Sequence, residues 1–457
     1  MADEAPARSR LRRSRRPPDR GGRFLTRRLR IDDLTALAVP EQPALSPDGG
    51  RCAYVLRTVD AERDCTVRAL WSAARGEAPR PLTRGPADSS PAWSPDGSRL
   101  AFLRAQDGPP QVWVLPAAGG EAEQLTTLPL GAGAPVWSPD GAAIAFAAPV
   151  DRDAAPDEDE AARERRAQAP IVTDRLDYQA DGAGFLRGLR KHLHVVDLET
   201  KDCRRLTDGD WHAGDPAWSP DGARLAFAAA TAPDADVAFR APVHVVDAVD
   251  GSRPEPVGLE NGVGGALAWA PDGTALVVAG NLDSPIGHTR LLRLPLDGGD
   301  PVDLAAALDR NVMPGAPAYP GGPPQFAGDG RTVVFCVRDR GCTHLYSVPV
   351  AGGQPSPVVT GAARVVGGLS VAGETVAIGL ATASSYGEIV LVDLATGDET
   401  VLTDHGASLA EVERFPREER EFAISDGTIV HGWLVRDPEA TGPQPLLLDV
   451  HGGPHNA

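Results

Sequence analysis

Short apolar runs, each preceded by a tight polar turn, recur along most of the chain. The units read Leu45-Ser-Pro-Asp-Gly then Cys52-Ala-Tyr-Val, Trp93-Ser-Pro-Asp-Gly then Leu100-Ala-Phe-Leu, and Trp137-Ser-Pro-Asp-Gly then Ile144-Ala-Phe-Ala. Trp218-Ser-Pro-Asp-Gly then Leu225-Ala-Phe-Ala and Trp269-Ala-Pro-Asp-Gly then Leu276-Val-Val-Ala continue the series. Phe326-Ala-Gly-Asp-Gly then Val333-Val-Phe-Cys, and Leu369-Ser-Val-Ala-Gly then Val376-Ala-Ile-Gly, are decayed copies. Each box predicts a hairpin. Proline presets φ at the first turn position, aspartate bonds its own backbone two residues on, and glycine takes positive φ. The apolar run that follows is a buried strand, and the aromatic before it anchors the unit against its neighbour.

A second pattern follows each box: an apolar strand, a turn, and a short strand often ending in Leu-Thr. Val112-Trp-Val-Leu-Pro with Glu123-Gln-Leu-Thr, Leu193-His-Val-Val-Asp with Arg204-Arg-Leu-Thr, and Ile389-Val-Leu-Val-Asp with Glu399-Thr-Val-Leu-Thr are examples. Two hairpins make four strands, which is one propeller blade. Seven units, spaced about 43 to 57 residues apart with one gap of 81, predict an all-β seven-bladed β-propeller over residues 31–410. The long gap puts an insertion, residues 149–191, in the third blade, between a second strand ending near Ala148 and a third starting at Leu193. Strands of a blade alternate in direction, so this loop shares a face with the points where the chain enters and leaves, and projects toward whatever follows.

Charge refines the picture. The net charge of −18 conceals eleven arginines against Asp3, Glu4 and Asp19 in residues 1–30, which leaves about −26 for the remainder. Residues 1–30 therefore read as a basic disordered tail, and the acidic body argues against nucleic-acid and membrane partners. No apolar stretch is long enough for a transmembrane helix. The five cysteines form no CxxC, and Cys52 and Cys336 both fall in apolar strand runs, so reduced thiols and a cytoplasmic setting are expected. His192 and His194 share a strand face, but no third ligand accompanies them; no metal site and no cofactor are expected. The box aspartates are turn-formers, because the box lacks the alternating carboxylates of a calcium loop.

Past residue 411 the blade pattern stops. Glu421 to Val435 reads as a hairpin around Asp426-Gly427, and Pro445-Leu-Leu-Leu-Asp-Val-His-Gly-Gly-Pro454 reads as a buried strand entering a glycine-rich turn. With the Ser-Pro-Asp-Gly blades, and with the stretches Asp32–Gly49 and Asp177–Phe185, these segments resemble the prolyl oligopeptidase family of serine peptidases over roughly residues 31–457. The likeness is to its acylaminoacyl-peptidase and dipeptidyl-aminopeptidase-like branch. The resemblance implies that residues 411–457 are the first strands of an α/β-hydrolase domain, incomplete here. It makes the backbone N–H of Gly453, with Gly452, a donor of the oxyanion hole, and His451 a packing residue.

In that family Ser, Asp and His of the triad follow the His-Gly-Gly-Pro loop, with Ser in a G-x-S-x-G elbow. No such elbow occurs; Gly406-Ala-Ser408 and Gly368-Leu-Ser370 belong to linker and propeller. The triad is expected beyond Ala457, and the 457-residue chain is expected to be inactive. The intact enzyme would cleave short peptides through an acyl-enzyme, and a homo-oligomer is compatible with it. Related dipeptidyl peptidases bind a substrate's α-amino group with acidic propeller-loop residues, which nominates Glu158 and Glu160. The alternative for Asp157 to Arg166 is a solvated helix with Asp159–Arg163 paired at i,i+4. The competing function is a non-catalytic TolB-like binding propeller.

Overall fold

The computed structural model describes residues 27–449 except 156–157, 252–253 and 317–318. Its local chemistry starts in the boxes. Ser94 Oγ donates to Asp96 Oδ1 (2.6 Å) and accepts from the Arg99 N–H (2.9 Å), while Asp96 Oδ1 accepts from the Ser98 N–H (3.0 Å). Ser46/Asp48, Ser138/Asp140 and Ser219/Asp221 repeat the set. These bonds favour the ionised carboxylates: the Ser94 hydroxyl, with the Ser98 N–H, draws Asp96 from 3.8 down to about 2. Asp48, Asp140 and Asp221 are lowered first by their own serines.

A carboxyl whose folded pKa lies below its unfolded value stabilises above the unfolded value. That contribution is lost as pH falls through the folded one. Stability is therefore expected to decline from about pH 4 toward about pH 2, where these aspartates protonate. Urea midpoints measured between pH 7 and 2 test this, and an Asp96→Asn variant should show a shallower acid limb. An acid limb of unchanged slope in that variant would refute the linkage.

The hairpins pair into five four-stranded antiparallel sheets. The first is Val39–Leu45, Arg51–Asp60, Cys65–Ala74 and Arg80–Pro81. The second is Asp88–Trp93, Arg99–Arg104, Gln111–Pro116 and Glu123–Gln124. The remaining repeats form one nine-stranded sheet, whose two halves join through a single parallel bridge, Thr343 to Val365. Each second strand is buried on both faces because a sheet packs on either side: Phe102, Phe146, Phe227 and Phe335 are fully buried, as is Tyr54. The first sheet packs on the last strands, with Cys52 and Tyr54 against Ala377, Ile389 and Leu391. This brings the two ends of the series together in a β-propeller. Burial pushes the Cys52 and Cys336 thiols up to about 12, in keeping with inert core cysteines.

Two recurring contacts explain the residue types of the repeat. Each box tryptophan donates its indole N–H to a carbonyl of the preceding sheet: Trp93 to Ala44 (3.0 Å), Trp137 to Ala92 (2.9 Å), Trp218 to Val136 (3.0 Å) and Trp269 to Ala217 (2.9 Å). In the decayed copies other side chains link a first strand to that of the following unit. Gln325 Nε2 donates to the Leu369 carbonyl (3.1 Å), and Ser370 Oγ accepts from the Leu45 N–H (2.9 Å) across the seam. The Leu-Thr ending pins the outer strand. Leu206 N–H donates to the Leu193 carbonyl (2.7 Å), and Thr207 Oγ1 accepts from the N–H of the same Leu193 (3.0 Å). Leu125-Thr126 and Leu402-Thr403 do the same to Val112 and Ile389.

The third sheet departs from expectation. Its central strands, Ala143–Asp151 and Leu189–Asp197, stay paired as far as Asp151 with Leu189. The insertion proper is thus 152–188 rather than 149–191. Apolarity marked where burial ends, at Ala148, whereas the ladder runs on because its bonds are made by backbone and do not need buried side chains.

Candidate functional site

Strand alternation places the chain's entry at Val39, its exit after Val401 and every turn between second and third strands at one end of the propeller. The structure puts two further features there. The hairpin Arg417–Ala423 with Ile429–Val435 lays the Trp433 ring against Gly341, in the turn between Thr332–Asp339 and Cys342–Pro349. A Cβ on Gly341 would lie 2.0 Å from that ring, and its φ of +67° also favours glycine. Arg417 stacks on Trp433 at 5.3 Å. Arg27 bridges to Val412, and Arg28 reaches Asp437 (3.0 Å) and Glu439 (3.1 Å). Within the expected tail, then, residues 27 and 28 are tied to the segment that follows the propeller; residues 1–26 lie outside those described.

Leu446, Leu447 and Leu448 are exposed and form no strand among the described residues. A strand needs a ladder partner, and none is adjacent among the described residues. His451, Gly452 and Gly453 lie outside the described residues.

The insertion is the second feature. Its helix, Glu160–Gln168, is capped by Asp159, which accepts from the Ala162 N–H (2.7 Å). Asp159 therefore turns to the backbone instead of forming the expected ion pair with Arg163. Arg166 grips Glu158 through two bonds of 2.8 Å and also reaches Asp151 at 2.8 Å, which lowers the Glu158 pKa. Arg187 donates to the carbonyls of Arg166 (2.7 Å) and Ala167 (2.9 Å) at the helix C-terminus, where a cation suits the dipole. Of the two nominated amine-binding carboxylates, Glu158 is neutralised in place and Glu160 is exposed.

Between this helix and the sheet lies a cleft of about 580 Å³, lined by Leu130, Pro149, Val150, Glu158 and Arg166 and floored by His194. His194 stacks on Phe146 with ring centres 5.8 Å apart. His192 is fully buried, bonded to Thr207 Oγ1 (3.2 Å) and the Gly209 carbonyl (3.1 Å), and burial lowers its pKa to about 4. Among the described residues no three His, Cys, Asp or Glu are grouped to hold a metal.

The sequence profile of the TolB beta propeller domain matches residues 35–160. The uncharacterized peptidase YuxL of Bacillus subtilis is 28% identical over 443 residues, covering 93% of this chain and 66% of its own length. The acylaminoacyl peptidase of Pyrococcus horikoshii superposes with a TM-score of 0.70 at 18% identity, over 89% of this chain and 59% of its own. An acylaminoacyl peptidase in complex with Z-Gly-Gly-Phe-chloromethyl ketone gives 0.69 at 19%, with the same coverage. The chain thus spans about two thirds of the curated relative's length, and the structural likenesses are likenesses of fold. Taken with the propeller repeat and the motifs of residues 421–454, they support the resemblance of the chain to the prolyl oligopeptidase family.

Proposed function

We propose that this chain is the propeller and the opening strands of a serine peptidase that hydrolyses short peptides through an acyl-enzyme. On this reading the nine-stranded sheet is two blades joined by the Thr343–Val365 bridge, so that seven blades fill residues 31–410. Residues 411–457 begin the α/β-hydrolase domain, Gly452 and Gly453 serve its oxyanion hole, and Ser, Asp and His lie C-terminal to them. The observation that carries the reading is the Arg417–Val435 hairpin, seated through Trp433 on Gly341 at the end where the chain leaves the propeller. A TolB-like binding propeller has no use for that hairpin or for the His-Gly-Gly-Pro segment after it. The peptide-derived ligand of the similar acylaminoacyl peptidase supports peptides as substrates. Unpaired thiols, with Cys65 and Cys203 exposed, support a reducing cytoplasmic setting.

A fluorophosphonate probe tests the assignment. The 457-residue chain should stay unlabelled, while a chain extended by the residues encoded after Ala457 should be labelled and should cleave a blocked dipeptide nitroanilide. Labelling of the shorter chain, or none of the longer, contradicts it.

A further inference from the structure

The insertion and the loop that opens the fourth sheet enclose a pocket of about 350 Å³ whose wall carries five arginines. Two are committed elsewhere: Arg166 to Glu158 and Asp151, and Arg187 to the helix carbonyls. The other three converge on a single carboxylate. Asp210 Oδ1 lies 2.7 Å from Arg190 Nη2 and 3.2 Å from Arg152 Nη1, and Oδ2 lies 3.7 Å from Arg175 Nη1. Arg175 also holds Asp177 through two bonds (2.7 and 2.8 Å), and Asp153 and Asp174 complete the acidic groups of the wall.

Arg190 is the informative member. Its side chain is 6% exposed and its Nη1 serves the Arg187 and Leu189 carbonyls, yet its buried Nε has no partner. A buried donor without an acceptor beside a cavity marks a place where an acceptor belongs. Asp210, by contrast, is half exposed and sits in the loop between Asp208 and Trp211. Adjacent His212 is held down first by burial and next by the charge of Arg190, which agrees with a positive field there.

We propose that this pocket binds the α-carboxylate of a peptide, with Arg152, Arg175 and Arg190 as its ligands and Asp210 as the internal stand-in that the ligand displaces. The planar guanidinium matches a carboxylate through paired N–H donors. A pocket of this size takes the terminal one or two residues of a short peptide. The proposal rests on the reading of the chain as part of a peptidase, because that reading makes a peptide terminus the carboxylate to expect.

Calorimetric titration of the 457-residue chain tests it, with tri-alanine and its C-terminal amide as probes. The free acid is expected to bind at least about tenfold more tightly than the amide, the loss of one charge-assisted contact set. Asp210→Asn should raise affinity for the free acid, a gain that a merely structural Asp210 would not yield. Arg152→Ala, at a half-exposed site, should lower it without changing the far-ultraviolet spectrum. Equal binding of acid and amide, no binding of either, or no gain in Asp210→Asn overturns the proposal. Equally tight binding of amidated Ala-Glu-Ala would assign the pocket to side-chain carboxylates and overturn it too. Binding involves no turnover, so the outcomes separate: acid-selective binding with no probe labelling of the extended chain sinks the peptidase reading alone, and the reverse result sinks the pocket alone.

Discussion

Replacing Arg104 by alanine is expected to lower the unfolding free energy by about 3–5 kcal/mol, the usual cost of stranding one partner of a buried ion pair. Asp88 is fully buried at the start of the inner strand of the second sheet. Arg104 meets it with Nε–Oδ1 of 2.7 Å and Nη2–Oδ2 of 2.9 Å. The guanidinium also lies over Phe102 (5.1 Å) and Trp113 (5.2 Å), so alanine removes packing as well as charge. Among the described residues no second cation is paired with Asp88. The double variant Asp88→Asn with Arg104→Met should recover much of the loss, because it removes both charges while keeping most of the volume. Urea unfolding at a single slope measures this; a loss below about 1 kcal/mol for Arg104→Ala would mean that the site is effectively hydrated.

Phe227→Ala is expected to cost about 3–5 kcal/mol, as for other fully buried phenylalanines. Its ring stacks on Trp211 at 5.9 Å and on His244 at 5.8 Å, and it packs with Leu193, Val195 and Leu206 of the preceding sheet. The position belongs to the interface between the third and fourth sheets. In a repeat architecture stability is close to a sum of unit and nearest-neighbour terms. The damage should therefore concentrate there: the near-ultraviolet signal of Trp211 should change, and exchange protection should fall in these two sheets before the others. Uniform loss of protection around the propeller would contradict a local effect, and a fall of less than about 1 kcal/mol would contradict the packing argument.

The residues that sequence reasoning read well are those whose contacts are local. Ser94, Asp96 and Gly97 build their turn within a few positions, so residue type and spacing already imply the bonds. The box tryptophans were legible as anchors, but their acceptors were not: the Ala92 carbonyl lies 45 residues before Trp137, and nothing in its identity advertises the role. The Leu-Thr ending was visible only as a recurrence, and the structure supplied its reason in the doubled bond to one third-strand residue.

The insertion was the least legible part, because it has no repeat to average over. The sequence reads Asp157 to Arg166 as the acidic start and basic end of one helix; the described helix runs Glu160–Gln168 with Asp159 as its cap, and Asp157 lies outside the described residues. Which carboxylate Arg166 would take depended on the paired strand ending at Asp151, and on that geometry Glu158 is neutralised. Arg190 and Asp210 are 20 residues apart and belong to no motif, so their meeting was invisible.

By itself, then, the sequence determined the repeating four-stranded unit, the side of the propeller on which the insertion emerges and the family resemblance of the residues after 411. Turn chemistry and strand periodicity are local and survive in any context. Tertiary structure alone decided the length of the third-sheet ladder, the seating of Trp433 on Gly341 and the gathering of three arginines on Asp210. Each of these joins groups distant along the chain, and their distances are set by how the sheets pack rather than by how the residues are spaced.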